Sequence, residues 1–535
     1  MSTISRGSYK EAWFVAGVSK GARVLTTPGI IGGSLASIYV TTLTANYFWD
    51  GITFASQIEK VTRGQGRADL LFHQNHLLYN ALGYVLFCVA RAAGLNIRAL
   101  TVLQLANVVF GSLAIAVFFQ IAERMMRNRY AAALSSIALG LSAVWWKLST
   151  DADAYILAML LILLCLKNLL SSNPRWYVAG LALAGAMLIH ELASLFFLAA
   201  ILAVFSSKDI RLKLRFACWM GAFAWSFTIV VYYGCAATLH GITDPLGVVR
   251  WAVSNPSLST LSLNPVHGIL VTPRKNIDAF IGHDFALFSN RPDGFSSVLA
   301  LAAIIAALAV AFKAASTIDI IRVAQSLHFP SWERCKQSVP ALIAWVIGYV
   351  IFLFFWEPED PYYLLFYMPA LALLFGLVWS NYHLFASGSS ERSSGSDVPS
   401  GIGTLAVVTM ALFNLAFFIV PNMQRDSNPL VASAQAARGI WNERTVIYFA
   451  NHNEADTTFD YFNDRTEWRR VPRESSSEIE KQIEFTSKQG RSVWLNRGAM
   501  GLIDPEWLAR YARGKRIRVE VANAPAQYAE LLIEQ

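Results

Sequence analysis

The chain has 535 residues, of which 55% are hydrophobic and only 15% charged. Apolar runs of spanning length recur between residues 24 and 421, and roughly 20 helical residues cross a bilayer core, so a soluble globular protein is excluded and a multi-pass membrane protein indicated. The net charge of +8 is not a nucleic-acid footprint, because most Lys and Arg flank the apolar runs, where they orient a membrane chain.

Residues 1–23 form a basic N-terminal segment with no small-residue cleavage site before the first apolar run, so a retained anchor is expected rather than a signal peptide. The run over 24–48 ends in NYFWDGITFASQIE, which places Asp50 where a membrane helix stops. A carboxylate at that depth is costly and is more often functional than decorative.

Basic clusters set the topology. They are Arg6 with Lys10, Lys20 and Arg23; Arg124 with Arg127 and Arg129; Lys208 with Arg211, Lys213 and Arg215; and Lys313 with Arg322, Arg334 and Lys336. The positive-inside rule assigns all four to the cytoplasm, which requires an even number of crossings between neighbours. Three apolar runs separate Arg23 from Arg124, so one does not cross. The weakest is 76–95, which carries His76, Asn80 and Arg91 and suits a helix lying on the outer surface. The first outer loop then runs over 49–98, and its LFHQNHLLYN offers His73, Asn75, His76 and Asn80. Two histidines three apart share a helical face and suit either a metal or the interface.

The segment WWKLSTDADAYILA puts Asp151 and Asp153 at the start of a later inward span. A single acid there is explained by capping, two less well. Residues 176–205 are too many for one span and too few for two, and the parity argument breaks them at His190-Glu191 into two short helices. Position 194 is Ser, so the HExxH zinc pattern is absent. An outer loop over 241–293 carries Arg250, Arg274, Lys275 and Arg291, cations suited to a phosphate. FLFFWEPEDPYYLLFYMPA turns at its prolines and gathers Glu357, Glu359 and Asp360 with Tyr362 and Tyr363. A polar cytoplasmic linker is expected over 381–401, built around GSSERSSGSDVPSG.

Beyond the membrane region 24–421, the composition of 422–535 is that of a soluble protein. Short β-rich runs (TVIYF, SVWLN, RIRVEV, AELLI) alternate with turn residues and a helical EIEKQIEF, which predicts a small α/β domain. The topology has about eleven crossings, an inner N-terminus and an outer C-terminal domain. Asp50, Asp151, Asp153, His190, Glu191 and the 357–360 turn then fall on one outer side, although acids do not enter the rule that placed them. Cys88, Cys165, Cys218 and Cys235 lie in apolar runs and Cys335 in a basic loop, so neither a disulfide framework nor a thiolate metal site is expected.

This order of features resembles the GT-C superfamily of integral-membrane glycosyltransferases, in particular the bacterial aminoarabinose and protein O-mannosyl transferases. The resemblance covers most of 24–380. It implies a predominantly α, polytopic bundle with surface helices in the first outer loop, and transfer of a sugar from a polyprenyl-phosphate donor. The position matching the family's catalytic Asp is Asp50; the later acid matches Asp151 or Asp153, the surface helix HQNHLLYN, and the polar break His190-Glu191. By this resemblance His73, His76, Asn80, His190, Glu191, Glu357, Glu359, Asp360 and Tyr362 line the substrate site. Many relatives carry a second acid after the catalytic one, whereas Gly51 follows Asp50 here, and a divalent metal at Asp50 stays open. Acids stand where several relatives have a basic residue, so the donor phosphate falls to Arg250 or Arg274. The implied partners are the lipid-linked sugar, membrane lipid and an extracytoplasmic glycan, lipid or protein acceptor, with no nucleic acid, in a cell membrane of bacterial inner-membrane type.

Two other readings remain. A transporter or flippase usually shows internal repeats and charges near the midplane, and no repeat is visible here. An inactive relative serving as an assembly subunit would need only the outer domain.

Overall fold

The structure, a computed structural model, describes residues 27–254, 265–282, 305, 338–358, 360–388, 398–425, 428–450, 453–471, 476–519 and 526–533. The chain divides into two compact units. The first draws on Met1–Leu43, Arg67–Ile97 and Thr101–Pro421, the second on Thr44–Gly66, Arg98–Leu100 and Asn422–Gln535.

The first unit is helical. Among the described residues, four helices are long and apolar enough to cross a membrane: Ala99–Met126, Lys213–His240, Val339–Trp356 and Gly401–Met423. The pair Arg129–Gly140 and Ala143–Thr150, bent by 62°, adds a fifth if it forms one span. Tyr155–Leu169, Trp176–Ile189, Glu191–Ser206 and Met368–Ser380 are apolar but shorter. Helix Tyr79–Ala92, from the run over 76–95, has 14 residues and is therefore about 21 Å long, less than a bilayer core.

Local signals end these helices. Asn128 accepts the Ala131 N–H at 3.1 Å and starts Arg129–Gly140. Asp244 caps Pro245–Ala252, whose first residue is a proline. Gly241, in the left-handed region at φ 68°, stops Lys213–His240. The helices of 176–205 part at His190 as the sequence predicts: Trp176–Ile189 ends there in extended backbone, and a 3-10 turn over Glu191–Leu195 leads into Phe196–Ser206. The expected linker over 381–401 is described only at its two ends, since 389–397 lie outside the described residues. Met368–Gly388 enters it and Val398–Asn414 leaves it, because apolar helical sequence runs into the polar stretch from both sides.

The second unit holds a five-stranded sheet of order β2-β1-β3-β5-β4: β1 Thr445–Phe449, β2 Glu467–Arg470, β3 Ser492–Asn496, β4 Arg516–Val519 and β5 Ala526–Leu531. β2, β1 and β3 are parallel, while β5 runs antiparallel to both β3 and β4. Parallel neighbours need helical crossovers. Glu454–Phe462 connects β1 to β2, and Ser476–Lys488 connects β2 to β3. The first of these helices starts with a reciprocal Asn453–Asp456 capping box.

Strand alternation sorts the core onto two faces. Val446, Tyr448, Val493 and Leu495 pack with Ile479 and Ile483 of the second crossover helix. On the other face Trp441 lies against Phe459, Trp494 and Tyr528, with ring centroids 5.2–5.6 Å apart. Helix Trp49–Thr62 also belongs to this unit. Its Glu59 accepts from Arg98 Nε at 2.8 Å, Arg63 at 3.0 Å and the Ala99 N–H at 3.0 Å. Lys60 reaches Asp460, Arg63 also reaches Asp464, and the Arg98 guanidinium stacks on Tyr461.

Candidate active site

The first unit gathers buried polar residues around the turn between Ala143–Thr150 and Tyr155–Leu169. Asp151 ends the first helix in extended backbone and is fully buried, as is Asp153. Lys147, one helical turn earlier, places its ammonium 2.5 Å from Asp151 Oδ2. Asp151 Oδ1 and Asp153 Oδ1 accept the N–H groups of Ala152 and Ala154. The Asn107 amide donates to the carbonyls of both Asp151 and Asp153, at 2.8 and 2.7 Å, and Gln104 donates to the carbonyl of Thr150. Ala99–Met126 thus fixes the turn by side-chain contacts to its backbone. Gly111 allows the close approach, since a β-carbon there would overlap Ser149 Oγ.

A second group forms where the broken helix pair meets the 73–78 segment. His73 and His76 stack at 6.2 Å, and His76 meets His190 edge-on at 4.6 Å. The Leu78 N–H donates to the Leu188 carbonyl, anchoring this segment to the end of Trp176–Ile189. His190 Nδ1 accepts the Leu192 N–H, which fixes the ring; its Nε2 is buried without a hydrogen-bond partner among the described residues. Burial pushes the His76 imidazole down to about 3, helped by the neighbouring His73, so His76 is neutral at pH 7. Tyr155 continues the cluster, with its ring 4.7 Å from His190 and 5.7 Å from Tyr363. Tyr349 donates to the Leu192 carbonyl and stacks on Phe366.

The acidic turn after Val339–Trp356 is partly described. Glu357 is half-buried, and Asp360 caps the 3-10 turn Pro361–Phe366 by accepting the Tyr362 N–H at 2.8 Å. Burial raises the Asp360 carboxyl to about 6; Glu357 adds to the shift, while the Tyr362 N–H and Lys275 oppose it. Glu359 and Arg291 lie outside the described residues.

The remaining expected residues sit on several elements. Asn80 is buried in Tyr79–Ala92, and Glu191 is half-buried at the start of its 3-10 turn. Arg250 and Arg274 are exposed, on Pro245–Ala252 and Pro265–Phe280. Lys275 pairs with Asp278 at 3.6 Å. Asp50 occupies the first turn of Trp49–Thr62 and belongs to the second unit.

Lys147, Asn107, Tyr155 and Tyr349 were not singled out by the sequence reading. Lys147 had a readable signal: a lysine inside an apolar run, four residues before an acid, is spaced for an i,i+4 pair. The others come from distant helices and carry no local signature. Among the described residues no three His, Cys, Asp or Glu side chains converge to hold a metal ion.

No protein-family model and no curated protein matches the sequence. Solved structures do. ArnT from Cupriavidus metallidurans bound to undecaprenyl phosphate superposes with a TM-score of 0.56 at 12% identity, covering 94% of this chain and 97% of that one. Its apo state gives the same score and identity over 98% of both chains. The chain has the GT-C fold. The Archaeoglobus fulgidus oligosaccharyltransferase, in complex with zinc and sulfate, aligns over 93% of this chain and 72% of its own, with a TM-score of 0.48 at 12% identity. At 12% identity, what ArnT shares with this chain is the fold.

Proposed function

We propose that the chain is a membrane glycosyltransferase that moves a sugar from a polyprenyl-phosphate donor to an extracytoplasmic acceptor. The observation that carries this reading is the end-to-end likeness to a structure holding undecaprenyl phosphate. In this reading Asp50 is the general base. Its carboxylate takes the proton of the acceptor hydroxyl as that oxygen attacks the anomeric carbon. The bond from that carbon to the phosphate oxygen breaks, and the polyprenyl phosphate leaves with the electron pair. Arg250 and Arg274 supply positive charge for the leaving phosphate.

Asp153, held by the turn that Asn107 pins, and the neutral imidazoles of His76 and His190 serve the sugar as hydrogen-bonding groups. Asp151 is engaged by Lys147 and fixes this turn. About eleven crossings, an outward-facing 422–535 domain and a bacterial inner membrane complete the proposal.

The test supplies membranes with labelled polyprenyl-phosphate sugars and compares the wild type with Asp50→Ala and Asp153→Ala. Loss of a general base lowers the rate by about 10²–10⁴-fold, so transfer that falls this far in Asp50→Ala supports the reading. Equal transfer by wild type and Asp50→Ala rejects it. Uptake into vesicles without transfer would favour a transporter instead.

A further inference from the structure

A cavity of about 650 Å³ in the first unit lies away from the residues assigned above, between the 172–176 and 209–219 segments. Arg211 and Arg215 line it, and among the described residues neither forms an ion pair. Trp176 and Trp219 form its aromatic wall, 6.0 Å apart by ring centroids. Leu212, between the two arginines, is 64% exposed, as is natural where lipid rather than water covers it. Asp209 supplies the one carboxylate among the lining residues.

Each feature narrows the ligand. Two guanidiniums with no protein carboxylate bound to them suit a phosphodiester, which accepts paired N–H donors. The tryptophans mark a membrane–water interface, where indoles sit at headgroup level. The exposed leucine beside them gives acyl chains a surface. Asp209 suits a headgroup hydroxyl, since a carboxylate accepts hydrogen bonds and repels a second phosphate. Free inorganic phosphate would use the arginines and leave the aromatic wall without a role.

We infer that this cavity binds the headgroup of an anionic glycerophospholipid. The site lies in the Lys208–Arg215 basic cluster, the one the positive-inside rule assigns to the cytoplasm, where anionic headgroups concentrate. It is independent of the glycosyl-transfer reading, because no residue is shared.

The test is lipid retention by the full chain. Protein is reconstituted with equal parts phosphatidylcholine and phosphatidylglycerol, released into detergent, and its bound lipid counted by native mass spectrometry. Arg211→Gln/Arg215→Gln should retain phosphatidylglycerol about thirtyfold more weakly than wild type, with phosphatidylcholine unchanged. Arg124→Gln/Arg127→Gln, which removes the same charge from another basic cluster, should behave as wild type. Equal loss in both variants would reduce the effect to diffuse surface charge and overturn the inference. So would displacement of the lipid by millimolar inorganic phosphate, which would reassign the arginines to the free anion. If the double Gln variant elutes as an aggregate, Arg211→Lys/Arg215→Lys takes its place: it keeps the charge, loses the paired geometry, and should show intermediate retention. Wild-type retention there overturns the phosphodiester assignment.

Discussion

Asp151 in the helical unit and Glu59 in the α/β unit are both buried carboxylates, held in different ways. Asp151 faces the ammonium of Lys147, itself only 3% exposed, and neither has ready access to water. Glu59 is shared among Arg63, Arg98, the Ala99 N–H and the Tyr461 hydroxyl, and both arginines are more than one-third exposed. A dry ion pair loses its whole charge compensation when either member goes, because no water takes its place. An interaction spread over several partly hydrated donors loses a share at a time, because water replaces what is removed.

Mutation should expose this contrast most strongly at Lys147. Lys147→Met removes the ammonium that faces a buried carboxylate and should cost about 3–5 kcal/mol, while the double change Lys147→Met/Asp151→Leu should recover most of that. Thermal unfolding in detergent reads both; a single variant within 1 kcal/mol of wild type would break the comparison. Ile483→Ala empties a fully buried position between sheet and helix and should cost about 2–5 kcal/mol. That loss should appear in the α/β unit's own transition. Glu59→Gln retains the shape and removes the charge, for about 1 kcal/mol. Lys60→Met, which deletes a half-exposed pair with Asp460, should cost less than about 1 kcal/mol.

Acidity sharpens the contrast without mutation. The folded Asp360 carboxyl sits near 6, above its ordinary 3.8, so folding opposes its ionisation. That penalty is in force above pH 6 and is relieved as the pH falls through 6, and stability from this group rises between pH 7 and 5. Asp360→Asn should flatten that rise. Glu467 behaves oppositely: Arg469, with Arg491, holds its carboxyl below the usual range, giving stability that is present at neutral pH and lost on acidification. Unfolding measured against pH in each variant separates the two slopes.

Much of the local structure was legible in the sequence. β1, β3 and β4 start within the β-rich runs, and the 176–205 helices part at the adjacent His and Glu, because alternation and a polar break are short-range signals. β5 begins earlier than its predicted run, at Ala526. β2 was missed because Glu-Trp-Arg-Arg reads as loop; it is a strand because its backbone pairs with β1 along an edge. The inclusion of Thr44–Gly66 and Arg98–Leu100 in the α/β unit was equally hidden. Glu59, Arg98 and Tyr461 meet across some 400 positions, and no spacing rule reports such a contact. Asp50 was singled out for its depth, yet the unit that holds it is fixed by these distant partners.

The order of the sheet leaves β2 and β4 as its two borders. Both are only four residues long and carry pairs of arginines, Arg469 with Arg470 and Arg516 with Arg518. Such borders discourage a neighbouring molecule from docking as another strand, since like charges would be brought face to face. In a crowded membrane, where many copies share one plane, this guards the domain against the stacking that ends in fibrils.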